Sequence, residues 1–219
     1  MTEIEAIRAR HAVRNYTAKP LSPEIIDELS QEIEQCNRQG QLHIQLVTEN
    51  EDAFKTFIPL FGRFKNVKNY IALAAKKQGD FYVKCGYCGA RLMVKAQQAG
   101  LNSCWVTNTY NAKKCPVTLA PDEELVGVIA IGYGTTDGTQ HKSKSMERLC
   151  KPCSDKWFTD GMNAAVLAPT GLNRQNFFIE ANGNTVSIRT KDNHPMSQIN
   201  TGIVKYHFEI GAGRENLSL

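Results

Sequence analysis

Hydrophobic positions along the 219-residue chain predict an ordered series of helices and strands. A first helical pattern covers residues 4–16 and stops at Pro20. A second helix is predicted to begin after Ser22, because serine suits the N-cap and a proline follows at the first helical position. Gly40 ends this helix. Its apolar side chains fall on one face, and they are Ile25, Ile26, Leu29 and Ile33.

Strands are predicted over residues 43–47, 70–74 and 125–131. The third is apolar on both faces, which indicates a central position in a sheet. A long helix is predicted over residues 86–100, and residues 103–106 form a short apolar segment after it. A group of aromatic side chains is expected to pack in or around the core rather than to hold a cofactor; they are Tyr16, Phe54, Phe57, Phe61 and Phe64.

The last third of the chain predicts a helix over 156–167, strands over 176–180 and 185–190, and a helix over 199–210. Asn182-Gly183 between the two strands is a strong hairpin signal. Helices and strands alternate in mixed order, so the fold class is α+β. The polar, glycine-rich stretch 132–151 is the best candidate boundary, which predicts a first half over 1–140 and a second half over 141–219.

Composition and charge narrow the function classes. The net charge of +4 is mild, so nucleic acid is not an expected partner, although a phosphate-bearing ligand would suit it. No apolar run approaches the roughly 20 residues of a membrane span. The N-terminus lacks an apolar signal core, so we expect a cytoplasmic protein with no membrane partner.

Three polar clusters carry candidate chemistry. Arg10 and Arg14 are four residues apart and would share a helix face, where two guanidinium groups can hold a phosphate. The run 141–144 adds a histidine and two lysines after the central strand. The segment 168–176 offers amide and hydroxyl groups and a glycine that permits close approach of a planar ligand. Taken singly, each cluster is also typical of a solvated surface or loop.

In order along the chain, the motifs RHAVRNY, CGYCGARLMVKAQQAGLNSCWV, IAIGYG with HKSK, and APTGLNRQNFFI resemble the FMN-dependent nitroreductase family. The last motif stands late in this chain instead of early. That order resembles a branch of the family in which a single chain mimics the usual dimer. The resemblance implies a nitroreductase-like mixed sheet flanked by helices, with a pseudo-duplicated second half.

The resemblance also implies roles for particular residues. The residues matched to the phosphate and ribityl contacts of FMN are Arg10, His11, Ala12, Arg14, Lys142 and Lys144. Those matched to contacts with the isoalloxazine ring are Pro169, Thr170, Gly171 and Asn173, and Val106 and Thr107 would present backbone groups near flavin N5. Ala12 and Gly171 stand where the family has serine, and Asn176-Phe177 stands where it has Pro-Trp.

The implied activity is an FMN-dependent oxidoreduction in which NADH or NADPH donates a hydride to flavin N5. A nitroaromatic, a quinone or a similar small molecule then accepts it, in ping-pong turnover, and no side chain is required as a general acid. The expected state is a monomer with a pseudo-dimeric chain, or a weak homodimer. The departures from the family motifs keep a second possibility open, a non-catalytic FMN-binding protein.

The cysteines favour a different alternative. Cys85 and Cys88 form one CxxC pair, and Cys150 and Cys153 form another. Two such pairs can make a four-thiolate zinc or iron–sulfur site. The 61 residues between the pairs exceed the roughly 15–20 of compact zinc modules, although longer insertions occur. A zinc or iron–sulfur protein therefore remains an alternative hypothesis to the flavoprotein.

Overall fold

The computed structural model describes residues 1–55 and 64–217; Phe57 and Phe61 lie outside these ranges. The α-helices are α1 (Glu3–Ala9), α2 (Pro23–Gly40), α3 (Phe81–Gln98), α4 (Lys156–Ala165) and α5 (Pro195–Ala212). The strands are β1 (Gln45–Val47), β2 (Asn69–Lys76), β3 (Asn102–Val106), β4 (Glu123–Gly132), β5 (Phe177–Asn182) and β6 (Thr185–Thr190). Every helix and strand predicted in the last third of the chain is confirmed, and α3 begins five residues earlier than expected.

The chain divides into two compact units. The sheet unit contains residues 10–81 and 92–140, and the helical unit contains residues 1–9, 82–91 and 141–219. Both units are therefore built from separated stretches of sequence, and α3 contributes to each. The predicted division of the flavin-binding halves at 140/141 stays a prediction.

In the sheet unit the strands follow the order β1-β2-β4-β3 and pair antiparallel. Isolated parallel bridges also occur in this unit, between Ala12 and Ser103 and between Asn15 and Lys65. The α+β class is confirmed, and β4 is an interior strand, as its apolar faces predicted. Tyr16, Tyr70 and Val128 lie in a buried cluster on one face of this sheet.

The N-terminal segment corrects one prediction. The first helix ends at Ala9 instead of continuing to residue 16, so Arg10 and Arg14 do not share a helix face. The following residues are extended because neighbouring strands and loops supply backbone partners. Val13 donates its N–H to the Ser103 carbonyl at 3.2 Å, and Tyr16 donates to the Lys65 carbonyl at 3.1 Å.

Helix α2 begins and ends as its sequence predicts. The Ser22 side chain accepts a hydrogen bond from the Ile25 N–H, and Pro23 occupies the first turn. The chain leaves the helix through Gln41, whose φ of 54° is in the left-handed region. Leu29 and Ile33 are buried on its apolar face.

In the helical unit, α4 and α5 pack closely. The rings of Phe158 and Phe208 lie 5.5 Å apart, edge to face. Gly202 allows α5 to approach α3, because a Cβ at this position would lie 1.9 Å from the Val83 carbonyl oxygen. The hairpin β5–β6 turns at Gly183, where φ is +57°. Within the described residues, no helix combines the length and apolar character needed to cross a membrane.

Candidate functional site

Arg10 is a buried cation in the sheet unit. The residue is only 4% exposed. Its Nε and Nη1 atoms have no hydrogen-bond partner among the residues that the structure describes. Buried polar groups are almost always paired, so an unpaired guanidinium points to a missing partner. A planar fork of N–H donors suits a phosphate or carboxylate.

Burial lowers the pKa of Arg10 to about 10, and the nearby Cys104 acts in the opposite direction. Cys104 cannot neutralise the cation at neutral pH, because burial raises the pKa of its thiol. Arg10 therefore stays charged near pH 7 without an anion to compensate it. This lowering of the pKa corresponds to a cost of about 3 kcal/mol in the free energy of folding.

The rest of the first motif is held against the loop that follows β4. Gly138 approaches so closely that a Cβ would lie 2.9 Å from the Cβ of His11 and 3.2 Å from the Ala12 carbonyl oxygen. Its φ of +77° also favours glycine. Ala12 and Arg14 are exposed, and His11 is half-buried. The sequence did not single out Gly138, although the glycine-rich loop that contains it was recognised.

Val106 and Thr107 stand at the end of β3, which has one ladder neighbour, β4. Val106 is buried in the same cluster as Tyr70, and Thr107 is half-buried. An edge strand turns backbone groups away from the sheet, so backbone hydrogen bonds to a ligand are chemically reasonable here. The packing also explains Gly127, whose Cβ would lie 2.9 Å from the Val106 carbonyl oxygen.

In the helical unit, the two predicted lysines differ sharply. The Lys144 ammonium donates to the carbonyl oxygens of Arg174 and Gln175, at 2.5 and 3.1 Å. It also donates to the Asn176 side-chain oxygen at 3.4 Å. Lys142 is exposed, and its carbonyl accepts from the Asn173 amide at 2.8 Å. Lys144 therefore fastens a loop, whereas Lys142 keeps its ammonium at the surface.

Gln175 organises the loop that carries the late motif. It is 1% exposed, and its amide donates to the Val166 carbonyl at 2.9 Å. Its side-chain oxygen accepts from the Lys144 N–H at 2.7 Å, and its own N–H donates to the Thr170 hydroxyl at 3.1 Å. The sequence placed Gln175 inside the motif but gave it no role, because burial of one amide has no local signal.

The remaining residues of the late motif lie at the surface of this loop. Asn173 is exposed, and Pro169 and Gly171 are half-buried. The Gly171 N–H donates to the Asn200 side chain at 3.0 Å. A Cβ at Gly171 would lie 3.0 Å from the Met196 sulfur. This close contact gives a local reason for glycine where the resembling family has serine.

The structure does not assemble a metal site from the four cysteines. Cys85 and Cys88 are buried on α3, and Cys150 is buried in the loop before α4. Cys153 is half-buried, and its thiol lies 3.6 Å from an Asp155 carboxylate oxygen. Across residues 1–55 and 64–217, no three His, Cys, Asp or Glu side chains are grouped as metal ligands. The four-thiolate alternative is therefore not supported by the geometry.

The antiparallel sheet flanked by helices defines an α+β protein. The sequence matches the family model described as "Putative TM nitroreductase" over residues 3–212. The chain belongs to this family. No curated protein matches the sequence significantly.

Solved structures share the fold at low sequence identity. A "putative nitroreductase" from Thermotoga maritima superposes with a TM-score of 0.72 at 20% identity, covering 98% of this chain and 85% of the other. A "putative nitroreductase" from Desulfovibrio desulfuricans, solved in complex with FMN, has a TM-score of 0.57 at 16% identity. That match covers 71% of this chain and 99% of the other.

Proposed function

We propose that this protein is an FMN-dependent oxidoreductase of nitroreductase type. It takes electrons from NADH or NADPH and delivers them to a nitroaromatic, a quinone or a similar small acceptor. The observation that carries the proposal is the buried guanidinium of Arg10, which has two N–H-bearing atoms without partners in the described part of the chain. The FMN bound in the Desulfovibrio desulfuricans structure supports a flavin phosphate as the anion that would pair with it.

The residues fit an FMN phosphate on chemical grounds. Arg10 supplies a buried, positively charged guanidinium, and each charge-assisted hydrogen bond to a phosphate contributes about 1.5–3 kcal/mol. Arg14 is an exposed cation of the same segment that adds attraction for a dianion. Val106 and Thr107, in the same unit, would offer backbone groups.

Bound FMN would supply a two-electron carrier between nicotinamide and acceptor, and the protein would supply binding, orientation and electrostatic field. Arg10 would hold the phosphate and keep its charge compensated in a site with little water. We infer one FMN per chain and a monomer that functions in the cytoplasm without nucleic acid or membrane.

The test is a fluorescence titration of the flavin-free protein with FMN and with riboflavin. FMN should bind with a stoichiometry of one per chain, and its affinity should not depend on protein concentration. Arg10→Ala should weaken FMN binding about tenfold to a hundredfold and leave weak riboflavin binding nearly unchanged. The matched control is Arg8→Ala, which removes the same charge at an exposed position and should leave FMN binding unchanged.

Turnover is then measured as oxidation of NADH or NADPH with a quinone or nitroaromatic acceptor. Steady-state oxidation that requires FMN supports the oxidoreductase. Tight FMN binding without oxidation by either nicotinamide would identify a non-catalytic FMN-binding protein. Absence of FMN binding would overturn the proposal.

A further inference from the structure

A basic cavity in the helical unit has no role in the function proposed above. Its volume is about 330 Å³. Cations form much of its wall, together with two aromatic rings; the residues are Lys144, Arg148, Arg189, Lys191, Phe177 and Phe178. Ligand sites of small molecules begin at about 300 Å³, so this cavity is large enough for a small ligand.

The hairpin β5–β6 explains why cations and an aromatic ring meet there. Phe178 pairs directly with Arg189 across the ladder, so the two side chains share a face of the hairpin. Lys191 follows the last residue of β6 and also lines the cavity. Phe177 is buried beneath, whereas Phe178 is half-buried and can contact a ligand.

The charges of the cavity wall do not cancel. Arg189 pairs with Glu180. Lys144 is held by uncharged oxygens, so its positive charge is not compensated. In the described part of the chain, no ion pair involves Arg148 or Lys191. The four wall cations and one carboxylate therefore leave an excess of three positive charges around the cavity.

Two further carboxylates are close in sequence but face other groups. Glu147 precedes Arg148 and is exposed, and its pKa is lowered by the Ser145 hydroxyl. Asp192 follows Lys191, is exposed, and accepts from the His194 N–H at 3.0 Å. Solvent and salt screen these exposed carboxylates as they screen the exposed wall cations Arg148, Arg189 and Lys191. Neither carboxylate lines the cavity, so the wall itself stays net positive.

We propose that the basic cavity binds the phosphate dianion of a small phosphomonoester. A dianion matches the excess charge, and guanidinium groups bind phosphate oxygens in a bidentate manner. Phe178 offers an apolar surface to the organic part of the ligand. The dianion could come from a free phosphorylated metabolite or from the 2′-phosphate of NADPH, which share this chemistry.

The cavity uses no part of the Arg10 segment, although the family resemblance also matches Lys144 of its wall to the FMN phosphate, so the two sites are tested separately. The test is calorimetric titration of the FMN-saturated protein with inorganic phosphate and with phenyl phosphate. Both should bind at one site per chain, and phenyl phosphate should bind more tightly because of its ring. If the protein does not bind FMN, the same titration is made on the protein as purified, so the two proposals fail separately.

The double variant Arg148→Ala/Lys191→Ala should weaken phosphate binding about a hundredfold, at about tenfold per lost charge. Glu180→Gln should strengthen binding several-fold, because it frees Arg189 from its carboxylate. The control is Lys113→Ala/Lys114→Ala, which removes the same charge from an exposed turn in the sheet unit. Circular dichroism verifies that all variants fold.

Equal weakening by the test and control pairs would show a general charge effect and overturn the proposal. It is also overturned if neither probe binds, or if FMN saturation or Arg10→Ala abolishes binding. A second comparison identifies the source of the phosphate. Tighter binding of adenosine 2′-phosphate than of ribose 5-phosphate supports NADPH at this site, and the reverse order supports a free phosphorylated metabolite.

Discussion

Replacing Arg10 by methionine should change stability and cofactor affinity in opposite directions. In the flavin-free protein, Arg10 is a buried cation whose Nε and Nη1 find no partner among the described residues. Keeping it charged costs about 3 kcal/mol, from the lowering of its pKa to about 10. Methionine fills a similar space without a charge. Arg10→Met should therefore stabilise the flavin-free protein by about 1–3 kcal/mol, after allowing for imperfect packing.

The sign of the pH dependence follows from the same shift. The folded-state pKa of Arg10 lies below its unfolded value, so protonation favours the unfolded state. The destabilisation is complete below about pH 10 and disappears only as pH rises to the higher pKa of the unfolded state. Between pH 6 and 9 the stabilisation by Arg10→Met should therefore be constant.

FMN should reduce or remove the stability advantage of the Arg10→Met variant. In the parent protein the phosphate supplies the missing anion, and the loss of this contact should weaken FMN binding about tenfold to a hundredfold. Ligand that binds only the folded state raises stability by RT ln(1 + [L]/Kd). At saturating FMN the parent should therefore gain about 1.5–3 kcal/mol more than the variant.

Thermal and urea unfolding, each with and without FMN, measure both effects. A change of 1 kcal/mol corresponds to about 2–4 °C in Tm for a chain of this size. Arg8→Met, at an exposed position, should leave both quantities unchanged. Destabilisation of the flavin-free protein by Arg10→Met, with unchanged FMN affinity, would refute the inference that Arg10 waits for an anion.

Three other changes test separate parts of the structure. Lys144→Ala should destabilise the protein by about 1–3 kcal/mol in urea, because it removes the ammonium that is bonded to the 174–176 loop. Lys142→Ala should leave stability unchanged, and equal stability losses would contradict the assignment. Gly202→Ala should cost at least about 3 kcal/mol or prevent folding, since its Cβ would collide with the Val83 carbonyl oxygen. Gly183→Ala, with open space around it but a strained φ of +57°, should cost about 1–2 kcal/mol, and a milder loss at Gly202 than at Gly183 would contradict this packing. A hydrogen bond from His43 lowers the pKa of the Glu123 carboxyl, so the pair stabilises the folded protein above pH 4.5 and loses this effect as pH falls through the lowered folded pKa. Glu123→Gln should therefore lack this part of the acid-induced loss of stability. An acid unfolding transition unchanged by Glu123→Gln would exclude the His43–Glu123 pair as the source of the effect.

The sequence predicted those elements whose signals are local. Helix α2 carries its own start in Ser22-Pro23 and its apolar stripe in Leu29 and Ile33, so its extent followed from spacing. The hairpin β5–β6 followed from Asn182-Gly183, because a tight turn between two alternating runs allows few other pairings. The α+β class followed from the order of such elements.

The sequence failed where tertiary partners override local preference. Residues 10–16 have a helical pattern, but Val13 and Tyr16 take backbone partners from distant parts of the chain. No spacing rule reveals that Ser103 or Lys65 will be adjacent to them. Likewise, the motif HKSK presents two similar lysines, and only the fold shows that Lys144 is bonded to loop carbonyls.

The predicted cofactor residues differ in whether their hydrogen-bonding groups already have partners in the protein. Thr170, Asn173 and Gly171 already have partners inside the helical unit, so a ligand must compete with or add to bonds that exist. Arg10 has donors for which the described residues supply no acceptor, so an anion gains its full electrostatic value there. Specificity for a phosphorylated flavin over riboflavin should therefore depend mainly on Arg10.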